Sequence, residues 1–189
     1  MEWFTAAERF TAALASSDPT PGGGAAAAHA GAMGCALALM AAQTTLKRKT
    51  TSSEVKIRLE KSIRRLVALK TQLNAYVQKD SEAYTAFLTA KKLPKDNPAR
   101  HEAVQQALLF AAGVPADTAS TALEVLKEIE TVKTDIADII FSDILCAQHL
   151  LQACLRCAVE NIRANIVFIE NEDRKDLLEK QIALFLKSC

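Results

Sequence analysis

The chain has 189 residues, of which half are hydrophobic and only 5% aromatic, and its formal net charge is +1. This length suits one domain, and we expect a single domain over residues 1–189. The near-neutral charge argues against binding nucleic acid through bulk charge. Abundant alanine with few aromatics favours closely packed helices over sheets, because alanine is the best helix former and a poor strand former.

Cysteine usage and the N-terminal residues both bear on cellular location. Five cysteines, an odd number, are scattered through helix-like sequence. Residues 1–4 lack the basic region followed by an apolar run that marks a secretion signal. The simplest interpretation is a cytoplasmic protein with reduced thiols.

The first predicted helix has apolar residues at helical spacing from Trp3 to Leu14, so we expect it to reach about Ala15. Residues 16–21, which are rich in Ser and Pro, end it. Three glycines follow, and then an alanine-rich helix over residues 25–46. Its small side chains permit close approach of neighbouring backbones, which suits the centre of a bundle or a dimer interface.

The alanine-rich segment also needs comparison with a membrane span. Residues 25–46 contain no Asp, Glu, Lys or Arg, and a bilayer needs about 20 apolar residues. However, the segment holds His29, Gln43 and two threonines and has few leucines or isoleucines. This content favours a buried helix of a protein without membrane contact.

The longest predicted helix follows. Residues 51–54 (Thr-Ser-Ser-Glu) fit a capping box, and no Gly or Pro interrupts the sequence from there to Leu93. Asn97-Pro98 fits an N-cap followed by the first residue of the next helix.

The second half of the chain predicts only helices. Gly113–Pro115 predicts a break, after which a helix runs to about Glu130. Two more helices are expected over residues 134–169 and 173–186. The predicted class is therefore all-α, a bundle of long antiparallel helices that is dimeric.

Three polar residues interrupt apolar helix faces. Asp80 lies one turn after Tyr76 on the stripe of the longest helix, and Asp143 and Asn161 lie on the stripe of the 134–169 helix. A buried carboxylate is costly, so it is usually paired, hydrogen-bonded, protonated or lining a cavity. Periodicity leaves open whether these residues are caps and ion-pair partners or line a shared polar cavity. Asp143 and Asn161 are about 27 Å apart along the helix, so within one chain they cannot act on the same atom.

Pro21–Gly24, called the glycine turn below, lies directly before the alanine-rich helix. Gly22, Gly23 and Gly24 permit unusual dihedral angles and close backbone approach, and the free amides of a helix start attract anions. By itself the segment fits a tight turn as well as a ligand site. It is not a P-loop, because no Gly-Lys-Ser/Thr follows, and it is not a dinucleotide fingerprint, because no strand precedes it.

Residues 18–28 resemble the Pro-Gly-Gly-Gly-Ser-Val-Ala-Ala opening of the family of formimidoyltetrahydrofolate cyclodeaminase and methenyltetrahydrofolate cyclohydrolase. Further motifs similar to those of this family occur in the expected order, as far as about Ile169. They are Thr45 with Arg48-Lys49, Asp80 with Tyr84, Leu93-Pro94, Val114-Pro115, Ser142-Asp143, and Asn161-Ile162-Arg163-Ala164-Asn165.

The resemblance implies a dimeric enzyme that acts on a one-carbon unit of tetrahydrofolate, without a separate cofactor. It would convert 5-formimidoyltetrahydrofolate to 5,10-methenyltetrahydrofolate and ammonia, or hydrolyse 5,10-methenyltetrahydrofolate to 10-formyltetrahydrofolate. Both reactions involve a cationic, amidinium-like carbon. An ionised carboxylate stabilises such a cation, and a protonated one donates to a leaving nitrogen. We assign this role to Asp80 or Asp143.

The resemblance also implies substrate contacts. The glycine turn would shape the pocket and offer amides, with Asn161 and Asn165 as further binding residues. Arg48 and Lys49 would meet the glutamate carboxylates of the folate, or alternatively form a solvated basic helix end.

Three departures from the family pattern favour a second functional hypothesis. Ala25 replaces the usual Ser, Lys47 stands where Gly is common, and Ile136-Ala137 stand where Gly-Asn is usual. These changes indicate altered substrate preference or lost activity. The alternative function is therefore a folate-binding or interaction bundle without effective catalysis.

A metal site is not predicted. One cysteine-histidine pair and one cysteine-cysteine pair have the local spacing of metal ligands. However, the four side chains extend over about 16 Å of one helix, so they cannot all bind the same metal ion. Small core cysteines are the favoured interpretation. The residues concerned are Cys146, His149, Cys154 and Cys157.

Overall fold

The computed structural model describes residues 2–188 except for the side chain of Trp3, and these residues form six α-helices and no strand. This confirms the predicted all-α class. The helices are α1 (Glu2–Leu14), α2 (Gly23–Leu46), α3 (Ser53–Lys92), α4 (Arg100–Val132), α5 (Phe141–Ile166) and α6 (Glu172–Lys187).

Helices α2 to α5 form the core as an antiparallel four-helix bundle. Each of α2 and α4 packs against both α3 and α5, so α2 and α4 lie diagonally across the bundle. Short connections between successive helices give the antiparallel order. Helix α6 packs on α5 and α4. Helix α1 lies at the edge, where the ring centroid of Phe10 is 4.6 Å from that of His29 on α2.

Small residues let α2 lie deep in the bundle. A Cβ added at Gly34 would be 2.9 Å from the carbonyl oxygen of Ala147 on α5, closer than real side chains allow. The two helix backbones therefore approach more closely at Gly34 than any larger residue would permit. This agrees with the expectation of a central helix built for close packing.

Two helical stretches are long and apolar enough to cross a membrane by length and composition alone, Gly23–Leu46 and Asp138–Ile166. In the first, 61% of the most apolar window is buried inside the bundle, and in the second 28%. Core helices of soluble proteins pass the same test, so length and composition are weak support for a membrane span.

The predicted break at Gly113–Pro115 is wrong, because α4 continues through both residues. Proline has no N–H, so the carbonyl of Ala111, four residues earlier, loses its helical donor. Asn165 of α5 supplies a replacement, since its Nδ2 donates to the oxygen of Ala111 at 3.2 Å. The partner that lets the helix continue lies 54 residues away in the chain.

Two predicted helix starts are also wrong. Helix α4 begins at Arg100, after Asn97-Pro98, because the Oδ1 of Asn97 accepts from the amide of Ala99 in a tight turn. Residues 133–140 contain two short 3₁₀ helices, Lys133–Asp135 and Asp138–Ile140, and α5 begins only at Phe141. There the amide of Ala137 donates to the hydroxyl of Thr45 at 3.1 Å, a tertiary contact that replaces a helical hydrogen bond.

Candidate active site

The glycine turn and Asp80 are joined by a hydrogen bond between two elements. The amide of Ala25 in the first turn of α2 donates to the Oδ2 of Asp80 on α3 at 2.9 Å. The first amides of a helix have no intrahelical acceptor, and the N-cap residue Gly22 has no side chain to supply one. Asp80 therefore caps α2 from the neighbouring helix, and its negative charge lies at the positive end of α2.

Gly24 is the residue that makes room for this carboxylate. A Cβ added there would lie 2.6 Å from the Cγ of Asp80 and closer still to its Oδ1. Any side chain at this position would displace the carboxylate. Gly24 thus serves close approach here, as the sequence suggested for the glycine turn.

Burial sets the protonation behaviour of Asp80. Burial raises the pKa of its carboxyl above the usual 3.8, and the hydrogen bond from Ala25 partly opposes this rise. Removal from water disfavours the ionised form, whereas an amide donor favours it. The same group can therefore hold a proton more readily than an exposed Asp and can still stabilise a neighbouring positive charge when ionised.

Two asparagines of α5 face the same turn. The Nδ2 of Asn161 donates to the carbonyl of Cys157 at 2.8 Å, and the Nδ2 of Asn165 donates to those of Ala111 and Asn161. Because carbonyls only accept, these bonds fix the orientation of both side-chain amides. Their Oδ1 atoms have no donor among residues 2–188 and remain available to a ligand.

These groups line one cavity of about 270 Å³, which is open to solvent on one side. The polar end contains the glycine turn, Asp80 and the two asparagines. The remaining walls are mostly apolar and include three aromatic side chains that can pack against a flat ring. The aromatic side chains are Tyr84, Phe87 and Phe168. The other residues of these walls are Leu108, Ala111, Pro19, Thr20 and Ala83.

Sequence reasoning missed Phe168 and Leu108. Phe168 follows the last turn of α5 and is 63% exposed, so no periodic pattern marks it. Its aromatic character just after Asn165 is the only signal in the sequence. Leu108 has the appearance of an ordinary core residue, and only the packing of α4 against α3 places it in the cavity wall.

The other predicted site residues lie elsewhere. Arg48 and Lys49 follow the C-terminus of α2, about 36 Å from Gly24 at the rise of a helix. Arg48 lines a separate cavity of about 600 Å³ with residues of the 134–139 segment. Asp143 lies in the first turn of α5, half-buried and without a hydrogen bond or ion pair within residues 2–188. A single chain therefore brings together Asp80, the glycine turn and the two asparagines, but not Asp143, Arg48 or Lys49.

Of the three departures from the family pattern, two are remote from the cavity and one is next to it. Lys47 and Ile136-Ala137 are near the Arg48 end of the bundle, remote from the glycine turn. Only Ala25 is next to the cavity lining, since it follows Gly24, and its contact with Asp80 is made by the backbone amide. Replacement of Ser by Ala at this position thus leaves the hydrogen bond to Asp80 intact.

Four cysteines have described positions, and all are free thiols. Cys35 and Cys154 are buried, and burial raises the pKa of each to about 12. Cys146 and Cys157 are exposed, so the core interpretation is wrong for these two. No three His, Cys, Asp or Glu side chains within residues 2–188 are placed to hold one metal ion. Cys189 lies outside the described residues.

Comparison with known proteins gives consistent results. A family model described as formiminotransferase-cyclodeaminase matches residues 6–184. The chain is 34% identical over 184 residues to a methenyltetrahydrofolate cyclohydrolase of Methylorubrum extorquens, covering 93% of this chain and 88% of that protein. It is 28% identical to formimidoyltransferase-cyclodeaminase of Mus musculus, covering 98% of this chain but 35% of the longer protein.

A solved structure has the same fold. The crystal structure of formiminotetrahydrofolate cyclodeaminase from Thermotoga maritima superposes with a TM-score of 0.86 at 28% sequence identity. The match covers 96% of this chain and 88% of that chain.

Proposed function

Because the chain belongs to the formiminotransferase-cyclodeaminase family and is a folate one-carbon enzyme, we propose that the cavity at the glycine turn is its active site. The observation that carries this proposal is the half-buried carboxylate of Asp80, which accepts a hydrogen bond from the amide of Ala25 in the first turn of α2. The substrate is 5-formimidoyltetrahydrofolate or 5,10-methenyltetrahydrofolate, since relatives are named for both reactions.

Asp80 supports the chemistry of either reaction. In cyclodeamination, N10 attacks the formimino carbon, and the amino group leaves as ammonia after it takes a proton. In cyclohydrolysis, water adds to the methenyl carbon, and the bond to N5 breaks after that nitrogen is protonated. A carboxyl with a raised pKa can donate either proton. Once ionised, it stabilises the amidinium-like carbon. Neither reaction is a redox step, so we propose that no cofactor is needed.

The rest of the cavity fits the substrate by shape and polarity. The Oδ1 atoms of Asn161 and Asn165 accept hydrogen bonds from N–H groups of the pterin. The amides of Gly23 and Gly24 offer donors at the start of α2. The aromatic walls contact the flat ring system, and the polar groups at the other end of the cavity orient it.

Absorbance at the methenyl-folate band tests the proposal. Its appearance from formimidoyl-folate indicates the deaminase, and its loss from methenyl-folate above the spontaneous rate indicates the cyclohydrolase. Asp80→Asn should reduce turnover by about 100-fold or more, while its side-chain oxygen still accepts from Ala25. Folate binding without turnover of either substrate would instead favour the alternative, an impaired folate-binding bundle.

We also propose a cytoplasmic homodimer that contacts neither membrane nor nucleic acid. Large apolar side chains are exposed on α2 and α5, two helices that pack against each other, namely Met33, Met40 and Leu145. A second copy on this face would cover them. Sedimentation as a monomer at micromolar concentration would contradict the dimer.

The dimer would also give Asp143 a role. If the α2 helices of two copies pair antiparallel, the end that carries Arg48, Lys49 and Asp143 approaches the glycine turn of the other copy. Mixing the variants Asp80→Asn and Asp143→Asn then forms heterodimers with one intact shared site. Activity restored on mixing supports a site built from two chains. If the Asp143→Asn variant retains full activity alone, Asp143 is not catalytic.

A further inference from the structure

A second cavity, of about 280 Å³, lies beside the active-site pocket, between the end of α3 and the start of α4. Four basic side chains line it: Lys91, Lys95, Arg100 and His101. Glu170 is its only acidic lining residue. We call it the basic cavity.

The positive charge of the basic cavity is only partly neutralised. Glu170 lies 3.1 Å from His101, a pair that is ionic only when the imidazole is protonated, so Glu170 offsets at most one of the positive charges of the cavity. The Nε of Arg100 donates to the backbone oxygen of Leu93 at 3.1 Å, which holds the guanidinium in place without neutralising it. Lys91 and Lys95 have no carboxylate partner within residues 2–188. The N-terminus of α4 adds its own positive end.

Two contacts join the basic cavity to the active-site pocket. The Nζ of Lys91 lies 5.3 Å from the ring centroid of Phe87, which lines the pocket. The side chain of Gln105 lines the basic cavity and donates to the carbonyl of Phe168, another residue of the pocket wall, at 3.2 Å. The two cavities are therefore neighbours, with Phe87 and Phe168 at the wall between them.

We propose that the basic cavity binds the carboxylates of the glutamate portion of the folate, a proposal that rests on the proposed function. A folate is a linear molecule with the reacting carbon near its pterin, an aromatic ring in the middle and a dianionic glutamate at the end. The same order occurs in the protein: Asp80, then the aromatic walls, then Lys91 and Lys95. Asp80 and Lys91 are about 16 Å apart along α3, whereas within one chain Arg48 is about twice as far from the glycine turn.

The experiment compares two substrates in matched variants. One is the folate that the wild-type protein turns over, and the other is its pteroyl methylamide, in which an uncharged methyl group replaces the glutamate. The test variant is Lys91→Gln with Lys95→Gln, and the control is Lys61→Gln, an exposed cation of α3 far from either cavity.

The double variant should raise KM for the folate at least about five-fold at low salt, with kcat unchanged, because it removes two charge-assisted contacts. For the methylamide, the double variant and the wild type should agree within about two-fold, since there is no carboxylate to lose. The control should match the wild type with both substrates. A rise in KM that requires both the loss of the lysines and the presence of the glutamate indicates direct contact. A general structural effect would raise KM for both substrates.

Three outcomes would overturn the inference. They are an equal loss with both substrates, no loss beyond that of Lys61→Gln, and a glutamate-dependent loss found in Arg48→Gln with Lys49→Gln instead. If the wild-type protein turns over neither folate, the proposed function fails separately. In that case the same comparison is made on Kd values for tetrahydrofolate and its methylamide by calorimetry.

Discussion

The replacement of Gly24 by Ala tests the geometry of the pocket most directly. The new Cβ would lie 2.6 Å from the Cγ of Asp80, so one of the two must move. The α2 backbone at Gly24 is buried and held by the bundle, whereas the carboxylate can rotate about its side-chain bonds. We therefore expect Asp80 to turn away and to lose its hydrogen bond from Ala25.

The magnitude follows from two opposing effects. Leaving the buried amide of Ala25 without its acceptor costs about 1–3 kcal/mol. Replacement of Gly by Ala lowers the conformational entropy of the unfolded chain, which stabilises the folded protein by about 0.4–1 kcal/mol. The Gly24→Ala variant should therefore lose about 1–2 kcal/mol in its free energy of unfolding. If Asp80 is the proposed catalytic carboxyl, turnover should fall by about 100-fold, because that carboxyl is displaced by about an ångström or more.

Urea denaturation followed by circular dichroism measures the stability, and methenyl-folate absorbance measures turnover. Gly113→Ala is the matched control, because no atom lies within 4 Å of a Cβ added there in the middle of α4. It should raise stability by about 0.5–1 kcal/mol and leave turnover unchanged. In an Asp80→Ala background, Gly24→Ala should cost little, since the clash is gone. The reasoning is refuted if Gly24→Ala alone matches Gly113→Ala in both stability and turnover.

Three further predictions concern stability. Asn165→Ala should lower the free energy of unfolding by about 1–3 kcal/mol, because it leaves the carbonyl of Ala111 unsatisfied. In a Pro115→Ala background, where the helical amide is restored, the same substitution should cost about 1 kcal/mol less. Equal costs in both backgrounds would contradict this account. Because burial raises the pKa of Asp80 above 3.8, its contribution to folding is full below pH 3.8 and is lost as the pH rises through the raised pKa. The free energy of unfolding of the wild type minus that of Asp80→Asn should therefore decrease over this range, and an increase would be inconsistent with burial as the dominant cause. Gly34→Ala should lower the free energy of unfolding by about 1–3 kcal/mol, because the new methyl group forces α2 away from α5. If this variant unfolds thermally at the same temperature as the wild type, the close approach of the two helices is not needed for stability.

The fold class and much of the pocket could be predicted from local sequence. Alanine-rich and amphipathic periodicity predicts helices because both depend on residues three and four apart. The same periodicity singles out Asp80 and Asn161 as polar residues on apolar faces, and the glycine turn stands out by composition. All three prove to line one cavity.

Tertiary packing determined which of these residues meet. The Ala25–Asp80 hydrogen bond joins positions 55 residues apart, and no local pattern specifies that pairing or separates Asp80 from Asp143. Where helix α4 passes through Pro115, a side chain of α5 bonds the carbonyl that the proline leaves without a helical donor. Local sequence could indicate that Pro115 removes a donor, but it could not indicate that Asn165 replaces it. Hydrogen-bond partners between helices depend on how the helices pack, and so the candidate active site can be recognised only in the assembled bundle.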